Sequence, residues 1–516
     1  MKTPSTKGSH ESSPHIEAEY ECVQDTVPQE TQEFQQADEP SCSASRFRRG
    51  CRNGTPATDN TRHAKRNSRQ SSATLSNHPI TVSLILQLPW IGLTALHYSV
   101  FELMTSYLTS MGVYYFVPRY MPSVLTFVMA PIVGAASDRS IANVGRRNHF
   151  LIIATIVLTI STMLLGGSKS IFGDHLLLLT INVAFIVWGA VALEVGLRSR
   201  IFDIIPKDFQ VHAHACGSMW HSVGLALGMV LVGGGSNVVY GDQITEAVML
   251  QTCGTVVAAI VVTVALSIYL KPEAPLQHEN KRVVAFERFF VEIWDVVVGA
   301  PLEIKMICLL QLFTWMAWYS FDNQKYKWWA EYVYLGCLQT TTTVTCSPEG
   351  VALYTDGLNL AKIAVQGISA VQFLSTLSFF VLIPKNPSAI RLKQVTLFFM
   401  SFGVVMLLVA LIVGAQSHTA SFVSFILTGV FYSAIDVFPF AMTGIVAKDF
   451  MDASSRYNTN GVYVSLMVQF ACCAKFAVEE FNTNEISSMG SSNILALPML
   501  LFVLSTAYAY FYKFEV

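Results

Sequence analysis

The chain has 516 residues, of which 52% are hydrophobic and only 13% charged, and its formal net charge is -2. Soluble globular proteins carry about a quarter charged residues, so this composition excludes an ordinary soluble fold and reads as an integral membrane protein. The small net charge says nothing about partners, because in a membrane chain the placement of Lys and Arg among the loops carries the information.

Residues 1–78 stand apart. They are rich in Ser, Thr, Gln and charge, show no apolar periodicity, and bury too little surface to fold alone, so they are expected to form a disordered tail. Its first half is acidic (Glu17, Glu19, Glu21, Glu30) and its second half basic (Arg46, Arg48, Arg49, Arg52, Arg62). Basic residues just before a first span favour a cytoplasmic amino terminus and attract anionic lipid. The opening residues lack the apolar core of a signal peptide. The sequon Asn53-Gly54-Thr55 would therefore face the cytosol and stay unmodified.

From residue 79, apolar runs close to the ~20 residues that cross a bilayer recur with short polar breaks. They are expected near Val82 to Leu108, Met121 to Ala136, Phe150 to Gly166, Leu176 to Phe202, Cys216 to Val239 and Val248 to Leu270, then Ile304 to Phe321, Leu360 to Ile383, Val395 to Gly414, Phe422 to Ala447, Gly461 to Val478 and Ile494 to Phe511. Residues 271–303, with Lys281, Arg282, Glu287, Arg288 and Glu292, read as a central cytoplasmic linker between a six-helix unit at 79–270 and another at 304–516. Six plus six around a polar middle predicts an all-α fold of twelve transmembrane helices in two bundles. The expected inner loops hold Arg139, Arg146, Arg147, Lys207, Lys271, Lys385, Arg391, Lys393 and Lys448, while the outer loops hold mainly acids, with Arg119, Lys325 and Lys327 against the trend. That bias places both termini in the cytoplasm. Lys207-Asp208-Phe209 recurs as Lys448-Asp449-Phe450, 241 residues later and after the same span of the second half, as a parallel repeat requires.

The first polar break that carries chemistry is Ser137-Asp138-Arg139, five residues, then Gly145-Arg146-Arg147. Asp138 can accept from arginine forks and Gly145 lets the backbone turn closely, which would pin two helix ends together in one state and release them in another. The spacing resembles the loop between helices two and three in the sucrose transporter branch of the glycoside-pentoside-hexuronide:cation symporters, within the major facilitator superfamily. The resemblance implies a cytoplasmic gate of Asp138, Arg139, Gly145, Arg146 and Arg147.

Charges within apolar spans read by default as an ion or substrate pathway. Glu194 and Arg198, four residues apart on one helix face, are the main candidates, with a static ion pair as the bland alternative. Movement of Arg198 toward substrate would change the proton affinity of Glu194, which is a coupling mechanism in outline. Arg198 followed five residues later by Asp203 resembles the family's fourth helix, whose arginine binds substrate and whose carboxylate, roughly three turns earlier, serves the proton. Val187 stands at that earlier position here, and Glu194 is the nearest acid. Asp203 falls on the opposite face from Glu194 and is expected to pair with Arg200 in the gate. The repeat offset applied to Glu194 lands one residue short of Asp436, within Phe431-Tyr432-Ser433-Ala434-Ile435-Asp436-Val437-Phe438-Pro439-Phe440, which resembles the family's tenth helix with an insertion. Asp436 is thus a second proton-coupling candidate or a carboxylate capped by neighbours such as Ser433. Glu102 in the first span is a third, or a residue that snorkels outward.

Trp315, Trp318, Phe321 and Glu331-Tyr332-Val333-Tyr334-Leu335-Gly336 resemble the family's seventh helix and following loop. Sugars stack C–H faces on aromatic rings, so Trp315 and Trp318 are candidate substrate contacts. Trp328 and Trp329 suit an interfacial belt equally well. Cys337 and Cys346 share the outer loop and can form a disulfide if it faces an oxidising compartment. The ten cysteines show no CxxC spacing and support no zinc site. His212, His214 and His221 are read as lying on different faces, which argues against a metal site. Gly224 and Gly228 are spaced for close packing, Gly233-Gly234-Gly235 is expected to break a helix, Cys472 and Cys473 to stay unbridged, and Lys475 and Glu479 to pair.

The resemblance, over most of residues 82–512, implies a proton-coupled symporter of a neutral sugar, sucrose or a related glucoside, working by alternating access in the plasma membrane rather than a vacuolar or lysosomal one. No catalytic constellation, cofactor motif or nucleic-acid signature is visible, so no enzyme is expected; the partners are the sugar, the proton and the bilayer. Two alternatives stay open: a carrier of another small solute, and a sugar sensor that signals through the long tail. Deleting residues 1–77 would separate the second from a carrier. The family's first outer loop usually holds a histidine, which Gly112 to Tyr120 lacks.

Overall fold

The computed structural model describes residues 78–140, 142–233, 244–273, 286–337, 346–385, 387–454, 459–484 and 494–512. Residues 1–77 of the expected tail, residues 274–285 of the expected linker, and Gly234 and Gly235 lie outside the described residues.

Every regular element among the described residues is helical. The membrane-spanning segments are α1 (Pro79–Leu86 and Trp90–Ser110), α2 (Met121–Arg139), α3 (Arg146–Gly166), α4 (Leu176–Ile204), α5 (Gln210–Gly233) and α6 (Glu246–Leu270). The second set is α7 (Leu302–Lys327), α8 (Pro348–Leu382), α9 (Ala389–Val413), α10 (His418–Leu427 and Gly429–Ser454), α11 (Asn460–Asn484) and α12 (Ala496–Phe511). By length and apolarity α2 to α11 each suffice to cross a bilayer; α1 does so as a pair of helices bent by 40°, and the 16-residue α12 completes the expected twelve. A linker helix, Phe286–Val298, precedes α7.

Local chemistry explains the boundaries. Ser347 and Ser388 cap α8 and α9 by accepting from the amides of Gly350 (3.1 Å) and Arg391 (3.3 Å), and Pro348 occupies the first turn, where its missing N–H is no loss. Pro89 supplies no amide for a continuous ladder at the bend of α1, and a π-turn at Leu96–Val100, which contains Tyr98, interrupts the regular helix. Pro439 lies inside α10 and removes one rung there.

The buried apolar residues fall into two main cores. One joins α1 to α6 with Val464 and Val468 of α11, and the other joins α7 to α12 with Val211, Ala215, Leu225 and Met229 of α5. Each half is therefore a six-helix bundle, and the bundles meet along α2 against α11 and α5 against α8. More than half of the apolar window is buried in α4, α5, α7, α10 and α11 (56–72%), against 33% in α2, α6 and α8, so the former line the centre and supply the polar residues described below. Gly224 lets α5 touch α1: a Cβ there would lie 2.5 Å from the Ile91 carbonyl.

Three loop expectations change. Lys325 and Lys327 belong to α7, which runs past Phe321 and continues as a π-turn through Val333. Lys325 is buried and pairs with Asp322 one turn earlier, so the helix continues instead of ending at the first charge. Trp328 and Trp329 are fully buried, with Trp328 stacked on Phe425 at 5.6 Å, and form no interfacial belt. α8 begins at Pro348 and not near Leu360, so Glu349 and Asp356 lie on a helix.

Candidate functional site

The charged break between α2 and α3 closes one end of the molecule. Gly145 has φ of 96°, a conformation open to glycine, and a Cβ there would also press on the Glu273 side chain at 2.6 Å. The turn it makes delivers Arg146 and Arg147 to the first turn of α3, where Glu273 accepts from the amides of Arg147 (2.8 Å) and Asn148 (3.1 Å) and offsets the helix dipole. Arg147, wholly buried, donates from Nε to Asp203 (2.8 Å) and from its other nitrogens to Ser137 and Asp138. Arg146 reaches the same Asp203 oxygen at 2.8 Å.

The opposite bundle completes the network. Asp138 accepts from the backbone of Gly461 (3.0 Å) and Val462 (3.2 Å) at the start of α11, where free amides and the helix dipole favour a carboxylate. Asn460 donates to Asp203 at 2.8 Å. Gly134 and Gly461 let the backbones of α2 and α11 meet, since a Cβ on Gly134 would collide with the Gly461 carbonyl. The two copies of the Lys-Asp-Phe repeat face each other at this end too: Lys207 pairs with Asp449, and Lys448 donates to the Ile205 carbonyl.

Arg200 departs from the expected arrangement. It donates to Ser267 (3.0 Å) and to the Lys271 carbonyl, both on the α6 side, while Asp203 turns to Arg146 and Arg147. Three apart on α4, the two are within reach of each other, yet Asp203 is held by two arginines of α3 and Arg200 by the α6 side. Arg139 ends α2, half-buried, at the same end.

Near the centre, four spans converge on a narrow cleft lined by Gln87, Trp90, Arg198, His214, Ser218 and Asp436. Arg198 lies 3.4 Å from Glu194 on its own helix and 3.4 Å from Asp436 on α10 of the other bundle. Charge-assisted pairs normally close to about 2.8 Å, so Arg198 stands between two carboxylates and is held tightly by neither. Its guanidinium lies over the rings of Phe440 (3.5 Å) and Trp90 (4.5 Å), which fix its plane.

Asp436 has a second partner. Its Oδ2 is 3.0 Å from Nδ1 of His221, whose Nε2 is 3.0 Å from the Tyr432 hydroxyl; that hydroxyl is 3.2 Å from the hydroxyl of Tyr98. His214 and His221 are seven residues apart, nearly two full helical turns, and so share one face of α5, correcting the expectation that these histidines diverge. Only His212 turns elsewhere, to the Ile383 carbonyl at 3.1 Å. No group of three or more metal-ligating side chains occurs among the described residues.

Trp315 and Trp318 are both buried on α7. Trp318 stacks face to face on Tyr432 at 4.2 Å and Trp315 meets the same ring edge-on at 6.2 Å, so Tyr432 covers one face of Trp318. Beyond them, toward the end that carries the Cys337–Cys346 disulfide, run the outer halves of α1 and α7. There His97 and Glu102 of α1 are solvent-exposed, yet both interact electrostatically with Lys475 of α11, and Glu102 also with Lys325 and Asp322 of α7. Exposed side chains that face charges of the opposite bundle mark an open vestibule. Lys475 and Glu479 lie 4.0 Å apart beside it. Solvent thus reaches α1 at the disulfide end, while the network above joins the two bundles at the charged-loop end.

Sequence reasoning missed His221, Tyr432, Tyr98, Trp90, Gln87, Glu273 and Asn460. Tyr432 lies one turn before Asp436, and Ser218 and His221 follow His214 at helical spacing, so two of these signals were present. Glu273 and Asn460 join the gate from 126 residues after Arg147 and from the far bundle, and nothing local announces them.

This architecture is similar to that of solved major facilitator superfamily transporters. The Escherichia coli fucose:proton symporter FucP matches with a TM-score of 0.57 over 84% of this chain and 98% of its own, at 13% identity. A second FucP structure, a major facilitator transporter in the outward conformation, matches equally at 0.57, covering 84% and 99% with 11% identity. No family model matches the sequence. Among curated proteins, the general alpha-glucoside permease of Schizosaccharomyces pombe is 26% identical over 212 residues, 38% of this chain and 37% of the permease. The sucrose transport protein SUC4 of Arabidopsis thaliana is 26% identical over 305 residues, 52% of this chain and 58% of that protein. The matched region thus spans less than two thirds of either curated relative.

Proposed function

We propose that this chain is a proton-coupled symporter of a neutral sugar, sucrose or a related α-glucoside, that works by alternating access. One observation carries the reading: Arg198, a guanidinium buried at the centre of the membrane domain, stands between carboxylates of both bundles and is held loosely by each. A permanent charge in that position costs several kcal/mol unless it is used, and sugar hydroxyls would complete its coordination where the carboxylates fall short. Trp90, Gln87 and Ser218 add one apolar ring and neutral hydrogen-bonding groups, the mixture a saccharide needs. The names of the curated relatives, a glucoside permease and a sucrose transport protein, support the same cargo.

In this reading the charged-loop end is cytoplasmic, with Asp138, Arg146, Arg147 and Asp203 as its latch, both termini lie on that side, and the membrane is the plasma membrane. The units are 79–270 and 304–516, joined by 271–303 and preceded by the tail 1–78. The state described is open to the outside. Glu194, Asp436 and Glu102 are the carboxylates along the proton's path, and rocking of the bundles about the cleft moves it and the sugar together.

The test is uptake of labelled sucrose and maltose by cells lacking their own carriers, at acidic and at alkaline external pH. Wild type should take up sugar faster at acidic pH. Arg198→Lys, which loses the planar fork, and Glu194→Gln should each lower uptake by about tenfold or more. If neither substitution changes uptake or its pH dependence, the pair is structural and the reading fails.

A further inference from the structure

His221 stands at the centre of the only hydrogen-bonded path among the described contacts that runs from the vestibule to Arg198. From α10, Asp436 faces Nδ1 and Tyr432 faces Nε2, each at 3.0 Å. From α1, Trp90 stacks on the imidazole at 5.6 Å, Tyr98 lies 6.5 Å away and joins the Tyr432 hydroxyl, and the ring of His97 interacts electrostatically with it. From α4, Arg198 approaches the other oxygen of Asp436, with Glu194 behind it. α7 contributes Trp318 and Tyr319 around Tyr432. α8 contributes Gln372, which donates to Ser218 one turn from His221 at 3.1 Å, and α5 itself contributes His214.

We propose that His221 carries the coupling proton and that its charge decides which partner Asp436 holds. This deepens the symporter reading and rests on it. A carboxylate only accepts, so Nδ1–H donates to Asp436 and Nε2 of the neutral ring accepts from Tyr432. Uptake of one proton converts Nε2 into a donor. The proton enters at Tyr98, the member nearest the vestibule: as it binds the Tyr98 oxygen, Tyr98 passes its own hydrogen to the Tyr432 oxygen and Tyr432 passes its hydrogen to Nε2, so each hydroxyl breaks one O–H bond, gains another, and ends directed away from His221. The imidazolium draws Asp436 from Arg198, and Arg198 is released toward Glu194 and the sugar. Proton and sugar thereby favour the same state, which is what coupling requires. Because His221 and Arg198 belong to one bundle and Asp436 to the other, the exchange of partners also acts across the plane on which the bundles rock.

The full-length protein in proteoliposomes tests this with sucrose as the probe, in two assays: accumulation driven by an interior-alkaline pH gradient, and sucrose exchange at equal pH on both sides. His221→Gln retains groups that can bond both neighbours and cannot take up a proton. Its sucrose should only equilibrate under the gradient, while exchange continues at a measurable rate. Gradient-driven accumulation equal to wild type overturns the proposal, as does a folded variant that is inert in both assays, because the ring is then needed for passage itself. Should His221→Gln fail to fold, Tyr432→Phe cuts the hydroxyl chain and leaves Asp436 and His221 in place; it should slow accumulation about tenfold relative to exchange, and an unaltered ratio overturns the proposal. Failure of the wild-type protein to move sucrose in either assay refutes the transport reading instead.

Discussion

Replacing Asp138 with Asn removes the charge that joins Arg147 to the first turn of α11 while keeping size and shape. Breaking one partner of a buried ion pair costs about 3–5 kcal/mol. Arg147 keeps Asp203 at 2.8 Å, so the lower end applies. About 3 kcal/mol, lost only in the state closed at the charged-loop end, shifts the equilibrium between the two states by a factor of about 150. If the wild-type protein holds the closed arrangement at roughly 99:1, the variant holds it at about 40%. The assay is thiol alkylation of a single cysteine at Gln210, a buried position whose side-chain oxygen would lie 2.6 Å from a Cβ on Gly444 across the bundle interface. In a background stripped of the native free cysteines, its reactivity should rise about 60-fold with Asp138→Asn, while a cysteine at the exposed His97 should react about 2.5-fold more slowly. An Asp138→Asn protein that folds and shows neither change refutes the argument that this network holds the end closed.

Other outcomes follow from the same contacts. Gly461→Leu places a side chain where a Cβ would lie 2.9 Å from both Arg147 Nη1 and Asp138 Oδ1; it should open the charged-loop end as Asp138→Asn does, read by the same Gln210 cysteine. Glu273→Gln weakens the cap on the first turn of α3 and should lower the melting temperature of the detergent-solubilised protein by an amount worth about 1–2 kcal/mol, a loss that Glu273→Asp partly restores. Lys325→Met leaves Asp322 without its partner and should destabilise the protein by about 3 kcal/mol, whereas Lys325→Met with Asp322→Leu recovers most of that loss in a double-mutant cycle. Cysteines 337 and 346 should alkylate only after reduction, while Cys473, half-buried and free, should alkylate before it.

How much of this was legible beforehand depended on how local each signal was. The twelve apolar runs give the architecture because a bilayer demands about 20 apolar residues per span, and both polar breaks and glycines are readable one at a time. The same logic misjudged α7: Lys325 looked like a loop residue because a lone lysine is costly in a span, and its pairing with Asp322 offsets that cost. Arg198 and Glu194 are readable as a pair because both lie on one helix. Their link to Asp436 crosses 238 residues and two bundles, and the repeat offset hinted at it without supplying contact. His221 escaped because a histidine at the start of an apolar helix is usually a core residue, and its meaning comes from Tyr432 and Asp436, which only the packing of α5 against α10 brings to it.

In a symporter of this design, sugar and proton move together through the cleft held by Arg198, Asp436 and His221. Proteoliposomes loaded with a pH-sensitive dye measure this directly: adding sucrose outside, with no other gradient imposed, should acidify the interior in wild type and do so about tenfold more slowly, or not at all, in Arg198→Lys. Sucrose that enters the wild-type vesicles without any acidification, or acidification as fast in Arg198→Lys as in wild type, would contradict it.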